Sequence, residues 1–469
     1  MRASRLYTYL GTVIGMCRQC RTVGPARVFE EEGAVYQERL CSDCGHSRAR
    51  IADRVEWYLE RLATVVNRTP PRLPGTAVRE GCPKDCGPCE LHANACHLPV
   101  FSITNACNLE CPICFTYNRP DRKYFMRRDE LRALLDQLIA RTGPLDLINI
   151  TGGEPTLHPD ILDLLQECRR AEIGRVTLNS NGLRIAKDPE FCQALADLGV
   201  YVVLSFDTFR SDTAVKIHGR DVVADKLRAL GNLQRHGIGT TLLNVLIRGV
   251  NDLEIGAVME LAKAHAVVRS VTVQTMTFTG HGGKSFQPRL PLPLDGAATA
   301  LEMATRGMMR AGHFFAHAGA HPLCYSVAYY LKDGRDYRSL TDFFTVVELR
   351  EMLGRGYLLQ PNDGGREVFR NAIDRLWASG DNSHLLPAIR RLVERMYPAG
   401  KRLLPRERQA IAEESLLAVY LHAHMDEDTL DLARLVSCPD QVPDPEGRLI
   451  PACAYNLFYR EKDPRFWCP

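Results

Sequence analysis

Seventeen cysteines in a chain of 469 residues, and the way they are grouped, limit what this sequence can become more than any other feature. Fifteen of them fall into sets, and only Cys168 and Cys192 stand alone. Residues 1–16 carry two arginines and a short apolar patch, but no clean apolar h-region and no small-residue cleavage site, so a signal peptide is not expected. Grouped thiols in such a chain favour metal over disulfides. Each metal would also contribute to folding, because it ties distant segments together. The most informative set is Cys107-Asn108-Leu109-Glu110-Cys111-Pro112-Ile113-Cys114-Phe115. Three thiolates at spacings of four and three can hold three irons of a cubic [4Fe–4S] cluster. No fourth cysteine follows closely, which leaves one iron open to bind a substrate or cofactor and pass it an electron.

The other sets have different spacings. Cys17-Arg18-Gln19-Cys20 and Cys41-Ser42-Asp43-Cys44 are two knuckles that can present four thiolates to one tetrahedral ion. The spacing is silent on zinc versus iron, and His46 is an alternative ligand to Cys44. The stretch 26–40 between the knuckles reads as a hairpin around Gly33, and 51–66 reads as a helix. A proline-rich linker, Pro70-Pro71-Arg72-Leu73-Pro74, leads to Cys82, Cys86, Cys89 and Cys96, four cysteines that suit a fully ligated [4Fe–4S] cluster or, alternatively, a single zinc. Cys324, Cys438, Cys453 and Cys468 are far apart. Either they meet around one further cluster or they are buried free thiols.

Between 98 and 285 the pattern alternates. Apolar runs at 98–104, 145–151, 175–180, 200–206, 240–247 and 270–275 are separated by helical periodicity at 128–140, 160–171, 224–235 and 253–265. Such a repeat means parallel strands with helices outside, here an α/β fold with a partial (β/α)6, TIM-like barrel. Sites on such sheets lie at the C-terminal strand ends. Gly152-Gly153-Glu154 follows the second expected strand, Asn179-Ser180-Asn181 the third and Ser205-Phe206-Asp207 the fourth, while Gln274 ends the sixth. His158 is suited to fixing the loop after Glu154, and His218 to facing a substrate. Residues 286–469 read as mainly helical, at 299–311, 343–353, 388–396 and 406–424, with a loop-rich, cysteine-bearing tail. The expected division is 1–67, a four-cysteine metal-binding domain of rubredoxin or zinc-ribbon type; 68–97, an auxiliary cluster segment; 98–285, the barrel; and 286–469, a helical region with a second auxiliary cluster.

C-x3-C-x2-C followed by an aromatic residue resembles the signature of the radical S-adenosylmethionine (radical SAM) superfamily. The resemblance implies that Cys107, Cys111 and Cys114 hold the catalytic cluster and that S-adenosylmethionine takes the open iron. One electron then yields a 5′-deoxyadenosyl radical that abstracts hydrogen from an unactivated carbon. It also implies cofactor contacts by Gly152, Gly153, Glu154, Asn179, Asn181, Ser205, Asp207 and Gln274. A narrower resemblance runs through Cys82-Pro83-Lys84-Asp85-Cys86-Gly87-Pro88-Cys89, Leu204-Ser205-Phe206-Asp207, Gly249-Val250-Asn251-Asp252, His321-Pro322-Leu323-Cys324 and Ile450-Pro451-Ala452-Cys453-Ala454-Tyr455-Asn456. These segments are similar to the tetraether lipid synthases and their bacterial relatives. That family implies three [4Fe–4S] clusters plus a mononuclear iron, with Cys324, Cys438, Cys453 and Cys468 as ligands of the last cluster. Ala318 stands where the family often has a cysteine, and the second knuckle reads Cys41-Ser42-Asp43-Cys44-Gly45-His46 where the family tends to have Cys-x2-His-Gly.

The expected activity is C–C bond formation at an sp3 carbon of a lipid or other apolar substrate. The alternatives are a radical SAM methyltransferase that uses a folate-type one-carbon donor on a small molecule, and a zinc-ribbon scaffold without catalysis. A low-potential electron donor such as ferredoxin or flavodoxin is implied, as are a cytoplasmic location and transient contact with a membrane surface. A net charge of +3 is too small, and lacks the basic cluster, to argue for nucleic acid. No apolar run is long enough to suggest a membrane span.

Overall fold

The computed structural model describes residues 6–73, 75–87, 89–116, 123–334, 336–353, 356–359, 365–379 and 385–466. Four antiparallel strands come first: β1 (Thr8–Met16), β2 (Val23–Glu31), β3 (Ala34–Cys41) and β4 (Gly45–Ala52). The two-residue turn between β2 and β3 is Glu32-Gly33, both with positive φ (53° and 79°), the geometry that matches the twist of a hairpin. Ile51 and Ala52 complete β4, so the helix expected over 51–66 is confined to α1 (Val55–Leu62).

The barrel follows. Six strands run parallel in sequence order: β5 (Leu98–Ser102), β6 (Ile148–Thr151), β7 (Val176–Ser180), β8 (Tyr201–Ser205), β9 (Thr240–Leu246) and β10 (Val268–Thr275). The helices between them are α2 (Arg128–Thr142), α3 (Ile161–Glu167), α4 (Pro189–Asp197), α5 (Ser211–His218), α6 (Val223–Arg235) and α7 (Ile255–Ala264). Alternation along the strands divides the side chains. Phe101, Ile150, Leu178, Val202, Leu242 and Val271 belong to the large core with Leu131, Leu165, Leu195 and Leu230 of the helices. Their neighbours Val100, Asn149, Thr177, Val203, Thr241 and Thr272 line a lumen. Small and medium side chains on that inner face do not fill it, unlike the stacked layers of a closed eight-stranded barrel.

Beyond β10 the chain forms α8 (Gly280–Ser285), α9 (Leu294–Ala304), β11 (Phe315–Ala316), β12 (Tyr325–Asp333), β13 (Asp336–Ser339), α10 (Val346–Leu353), α11 (Gly365–Ser379), α12 (Leu386–Met396), α13 (Pro405–Ser415), β14 (Leu416–His422), β15 (Asp440–Pro443) and β16 (Leu449–Pro451). The helices α10 to α13 pack around Phe343, Leu349, Phe369, Ile389 and Leu392. Region 286–469 is rich in helices as expected, but its strands, which the sequence reading did not include, extend the barrel sheet at both edges. β14 runs parallel to β10 and antiparallel to β12, while β15 runs parallel to β5. The single helix expected over 406–424 is two elements, α13 and β14. Strand β14, Leu-Leu-Ala-Val-Tyr-Leu-His, is sandwiched in the sheet and almost wholly buried, so it shows a continuous apolar run rather than the alternation of a half-exposed strand. The two edges meet at a seam, where the Tyr325 hydroxyl on β12 donates to Asp440 Oδ2 on β15 at 2.7 Å.

Candidate active site

Cys107, Cys111 and Cys114 sit in the loop after β5, at the mouth of a cavity of about 720 Å3 that occupies the lumen. Gly152 and Gly153 hold this loop. Gly152 has φ 148°, and a Cβ there would lie 2.2 Å from Thr104 O; one at Gly153 would lie 2.3 Å from Ala106 O. Only glycine permits this approach. Gly153 N–H donates to Thr104 O and Glu154 N–H to Ala106 O, which knits the β6 loop to the cysteine loop. The Glu154 carboxylate accepts from Thr156 N (3.1 Å), Thr156 Oγ1 (2.6 Å), Ser180 Oγ (2.9 Å) and Asn181 N (2.7 Å). Burial pushes its carboxyl up, and these donors pull it back. Asn181 Nδ2 donates to Asn108 Oδ1 at 2.7 Å, inside the cysteine motif.

Among the described residues, Asn179 Oδ1 is buried without a hydrogen-bond partner on the cavity wall. Ser205 and Gln274 also line the cavity. Asp207 does not: it is 1% exposed and lies behind the wall, where Oδ1 accepts from Val245 N at 2.6 Å and Oδ2 is 3.1 Å from His218 Nε2. The structure therefore turns both Asp207, expected at the cofactor, and His218, expected to face substrate, away from the lumen. Strand β8 ends at Ser205, so the alternation that would put Asp207 on the same face as Ser205 no longer applies. Lys226, unmarked by any motif, is buried there and donates to Ser205 O (2.7 Å) and Oγ (2.6 Å). His158 fixes its loop as expected, with Nε2 at 2.9 Å from Met126 O and Nδ1 accepting from Asp160 N.

Sequence reasoning missed the seam wall. Phe115, next to Cys114, begins a succession of rings. Centroid separations are 5.4 Å from Phe115 to His424, 4.2 Å to His422, 3.9 Å to Tyr325, 5.4 Å to Tyr357 and 4.9 Å to His317. Tyr357 also donates to Asp440, whose carboxyl burial pushes up to about 6 while the two phenols pull it down. The pair His422-x-His424 at the end of an apolar run was the available signal, and it resembles the polar residues ending the other strands.

The remaining cysteines are placed as follows. Cys17, Cys20, Cys41 and Cys44 bring their sulfurs within 4.8 Å of one another. The Thr22 hydroxyl and N–H hold Cys20 down to about 6, which suits a thiolate ligand. His46 is not part of this group; its Nε2 pairs with Glu38. Cys82 and Cys89 are close enough to perturb the ionisation of Cys86, whose Sγ donates to Pro83 O at 3.2 Å. Cys96 is buried beside Asp440 and Gln441. Behind the seam Cys453 is buried and Cys324 and Cys438 are half-buried, close enough to perturb one another's ionisation. Arg434, fully buried, donates to Cys324 Sγ at 3.3 Å and otherwise to carbonyls. A buried guanidinium needs negative partners; Asp431 supplies one, and thiolates holding a metal or cluster would add to it. His424 Nδ1 lies 3.5 Å from Cys453 Sγ. Cys468 lies outside the described residues.

The three-cysteine loop fits an iron–sulfur cluster. Burial pushes Cys107 up to about 11 and Cys111 up to about 12, so these thiols ionise only against positive charge, which iron supplies. Residues 101–262 match the Radical SAM superfamily, and residues 9–53 match the HMPTM N-terminal zinc ribbon domain. The barrel of this chain is thus a radical SAM superfamily domain, and enzymes of this class work with a [4Fe–4S] cluster and S-adenosylmethionine. Over 96% of its length the chain is similar to the 7,8-dihydro-6-hydroxymethylpterin dimethyltransferase of Methanocaldococcus jannaschii, at 24% identity and over 94% of that protein. It is also similar to the GTP 3',8-cyclase of Erythrobacter litoralis, 33% identical over 38% of this chain and 53% of the cyclase. Among solved structures, SuiB of Streptococcus suis bound to S-adenosylmethionine matches with a TM-score of 0.39 and 19% identity, over 46% of this chain and 48% of that one. The chain spans about half the length of this cyclase and of SuiB. Among the described residues no helix is long and apolar enough to cross a membrane.

Proposed function

We propose that this radical SAM enzyme forms a carbon–carbon bond at an unactivated sp3 carbon of a substrate with an extended apolar chain. The observation that supports this reading is the open lumen. The cavity continues from Cys107, Cys111 and Cys114 at the mouth past Val100, Val203 and Leu243, with Asn149, Thr177, Thr241 and Thr272 also on the wall, to Leu98, Leu147 and Leu358 at the opposite strand ends. Four residues of strand span about 13 Å at roughly 3.3 Å each, so a chain lying along the axis would bring one carbon under the mouth. When bound, the cluster and S-adenosylmethionine supply one-electron chemistry able to take hydrogen from such a carbon. The residues of the chain supply the rest. Cys107, Cys111 and Cys114 hold the cluster; Glu154 offers an anion to the cofactor's amino group; Asn179, Asn181, Ser205 and Gln274 offer polar contacts around it; and the lumen wall excludes water. Cys82 to Cys96 and the late cysteines hold auxiliary clusters, the ribbon holds zinc or iron, and a ferredoxin or flavodoxin delivers electrons. A reducing cytoplasm suits this inventory, as does brief contact with a membrane surface for substrate uptake.

A second reading, methyl transfer to a small molecule, is favoured by the name of the full-length Methanocaldococcus relative. One experiment separates the two. The reconstituted protein is incubated anaerobically with S-adenosylmethionine, a reductant and either a lipid extract or a reduced pterin. Two deoxyadenosines per product without methyl gain support coupling, and methylated pterin supports the second reading. Val203→Trp, which fills the lumen, should abolish lipid conversion while deoxyadenosine still forms.

A further inference from the structure

The stretch after β16 brings an arginine into the cavity wall. Tyr455–Tyr459 is a turn of π-helix, a form frequent at functional sites, and Arg460 follows it. Arg460 is 7% exposed and lines the cavity together with Asn456. Its Nε donates to Asn456 Oδ1 at 3.0 Å. The ring centroids of Tyr455 and Phe466 lie 5.0 and 5.5 Å from the centre of the guanidinium and steady it by cation–π attraction. Among the described residues Nη1 and Nη2 have no hydrogen-bond or ion-pair partner, and neither is sealed inside the protein, so both open on the cavity. Asp463, an acid of the same segment, is committed to Arg465 at 2.8 Å and to the Tyr455 hydroxyl at 2.6 Å. Asn456 adds to the arrangement. The Arg460 Nε–H can only donate, so Oδ1 must face it, and this fixes which way the amide points. Its Nδ2 then faces away from Arg460 and has no partner among the described residues either.

We propose that Arg460 and Asn456 form the anion-binding end of the substrate site and take an oxyanion, a carboxylate or a phosphate ester, carried at one end of the apolar chain. The pair offers N–H donors only, with a positive charge, in a place removed from water. A guanidinium there costs free energy unless an anion meets it. Its fork of donors fits two oxygens of a carboxylate or phosphate. The cofactor is served elsewhere. Ser205 and Gln274, expected to contact it, end β8 and β10, whereas Arg460 comes from the β15–β16 side of the sheet, and the buried ammonium of Lys226 already stands behind Ser205. The inference rests on the reading of the lumen as the site of the chain and adds the charge that the chain carries.

The test uses the reconstituted full-length protein with S-adenosylmethionine and three probes of equal chain length: decanoate, decyl phosphate and decanol. In equilibrium dialysis the wild type is expected to hold at least one of the two anions about tenfold to a hundredfold more tightly than decanol, the range for hydrogen bonds to a charged group. The tighter anion identifies the oxyanion. This half of the measurement requires no variant to fold. Arg460→Met, which keeps the stem without the charge, is expected to weaken the anions to the level of decanol. Arg460→Lys, a charge without the fork, is expected to lie between. Because Arg460 has no anionic partner to lose, Arg460→Met is also expected to keep its iron and sulfide and to melt no lower than the wild type. Equal affinity of the wild type for the three probes overturns the proposal, as does an anion preference that survives in Arg460→Met. Loss of iron and sulfide in Arg460→Met overturns it too, because the charge would then balance the cluster; so does weakened S-adenosylmethionine binding, because the arginine would then serve the cofactor. If none of the probes binds, the reading of the lumen as a chain site fails, and this inference with it.

Discussion

In the ribbon, the strand pairs β1–β2 and β3–β4 gather Cys17, Cys20, Cys41 and Cys44 within 4.8 Å of one another. At the barrel mouth, Cys107, Cys111 and Cys114 each lean on a different neighbour: Leu109 N–H at 3.4 Å, His218 at 3.6 Å and Thr116 at 3.1 Å. The first site has its four sulfur ligands within local hairpins. The second is one ligand short, faces a cavity, and is shaped by β6, β7 and β8 through Glu154, Asn181 and Ser205. Closed sites with four protein ligands serve structure, and open ones serve chemistry. The spacing of the cysteines reflects the same division, because neighbouring knuckles can meet around one ion whereas each thiolate of a cubic cluster takes its own iron.

Substitutions at the two sites should therefore fail differently. The largest effect is expected for Cys111→Ala, which should reduce deoxyadenosine release to background while the ribbon retains its metal; metal analysis beside the activity assay checks both. Loss of ribbon metal in that variant would break the comparison. Cys41→Ala should do the reverse. Structural zinc is worth about 10–16 kcal/mol in isolated finger peptides, so the ribbon should lose its ion and become cleavable within residues 9–53, while the sulfide content of the protein stays near wild type. Limited proteolysis and sulfide analysis read the two halves. Glu154→Gln should be intermediate. It removes a buried charged acceptor from three residues, at about 1.5–3 kcal/mol for a hydrogen bond to a charged group, and should lower both the melting temperature and the affinity for S-adenosylmethionine in equilibrium dialysis.

The smallest effect belongs to the ribbon surface. Burial would push the Glu38 carboxylate up, but Arg27 and His46 outweigh it and hold it below the usual range. A depressed carboxylate stabilises the folded state above its unfolded pKa and loses that contribution as pH falls through the folded one. Glu38→Gln should thus cost at most about 1 kcal/mol near pH 7 and progressively less in acid. Melting curves at several pH values check the sign, and the ribbon metal should be retained throughout.

How much of this was legible in the sequence differs between the two sites. The ribbon could be read from spacing alone because its ligands are local, and the three-cysteine loop because its partners Gly152, Gly153 and Glu154 end the next strand. The seam was not legible. Leu416 to His422 carries no alternation, because β14 is covered on both faces, and Tyr325, Tyr357 and Asp440 come from three segments that meet only when the sheet closes. Asp207 misled for the opposite reason. It continues the alternation of β8 on paper, but the backbone leaves the strand at Ser205 and carries the carboxylate behind Cys111. Cys324, Cys438 and Cys453 are too far apart for spacing to group them, and only the family resemblance suggested that they form a set. The buried guanidinium of Arg434 that makes them suited to thiolate chemistry lies in a segment with no motif.

The claim on which the rest depends is that the loop from Cys107 to Cys114 carries a cluster with a vacant iron at which S-adenosylmethionine is split. The direct measurement is chromatographic quantitation of 5′-deoxyadenosine from the anaerobically reconstituted, strongly reduced wild-type protein. The structure predicts steady formation over that of a variant with Cys107, Cys111 and Cys114 all replaced by alanine. Equal amounts from the two proteins would contradict it.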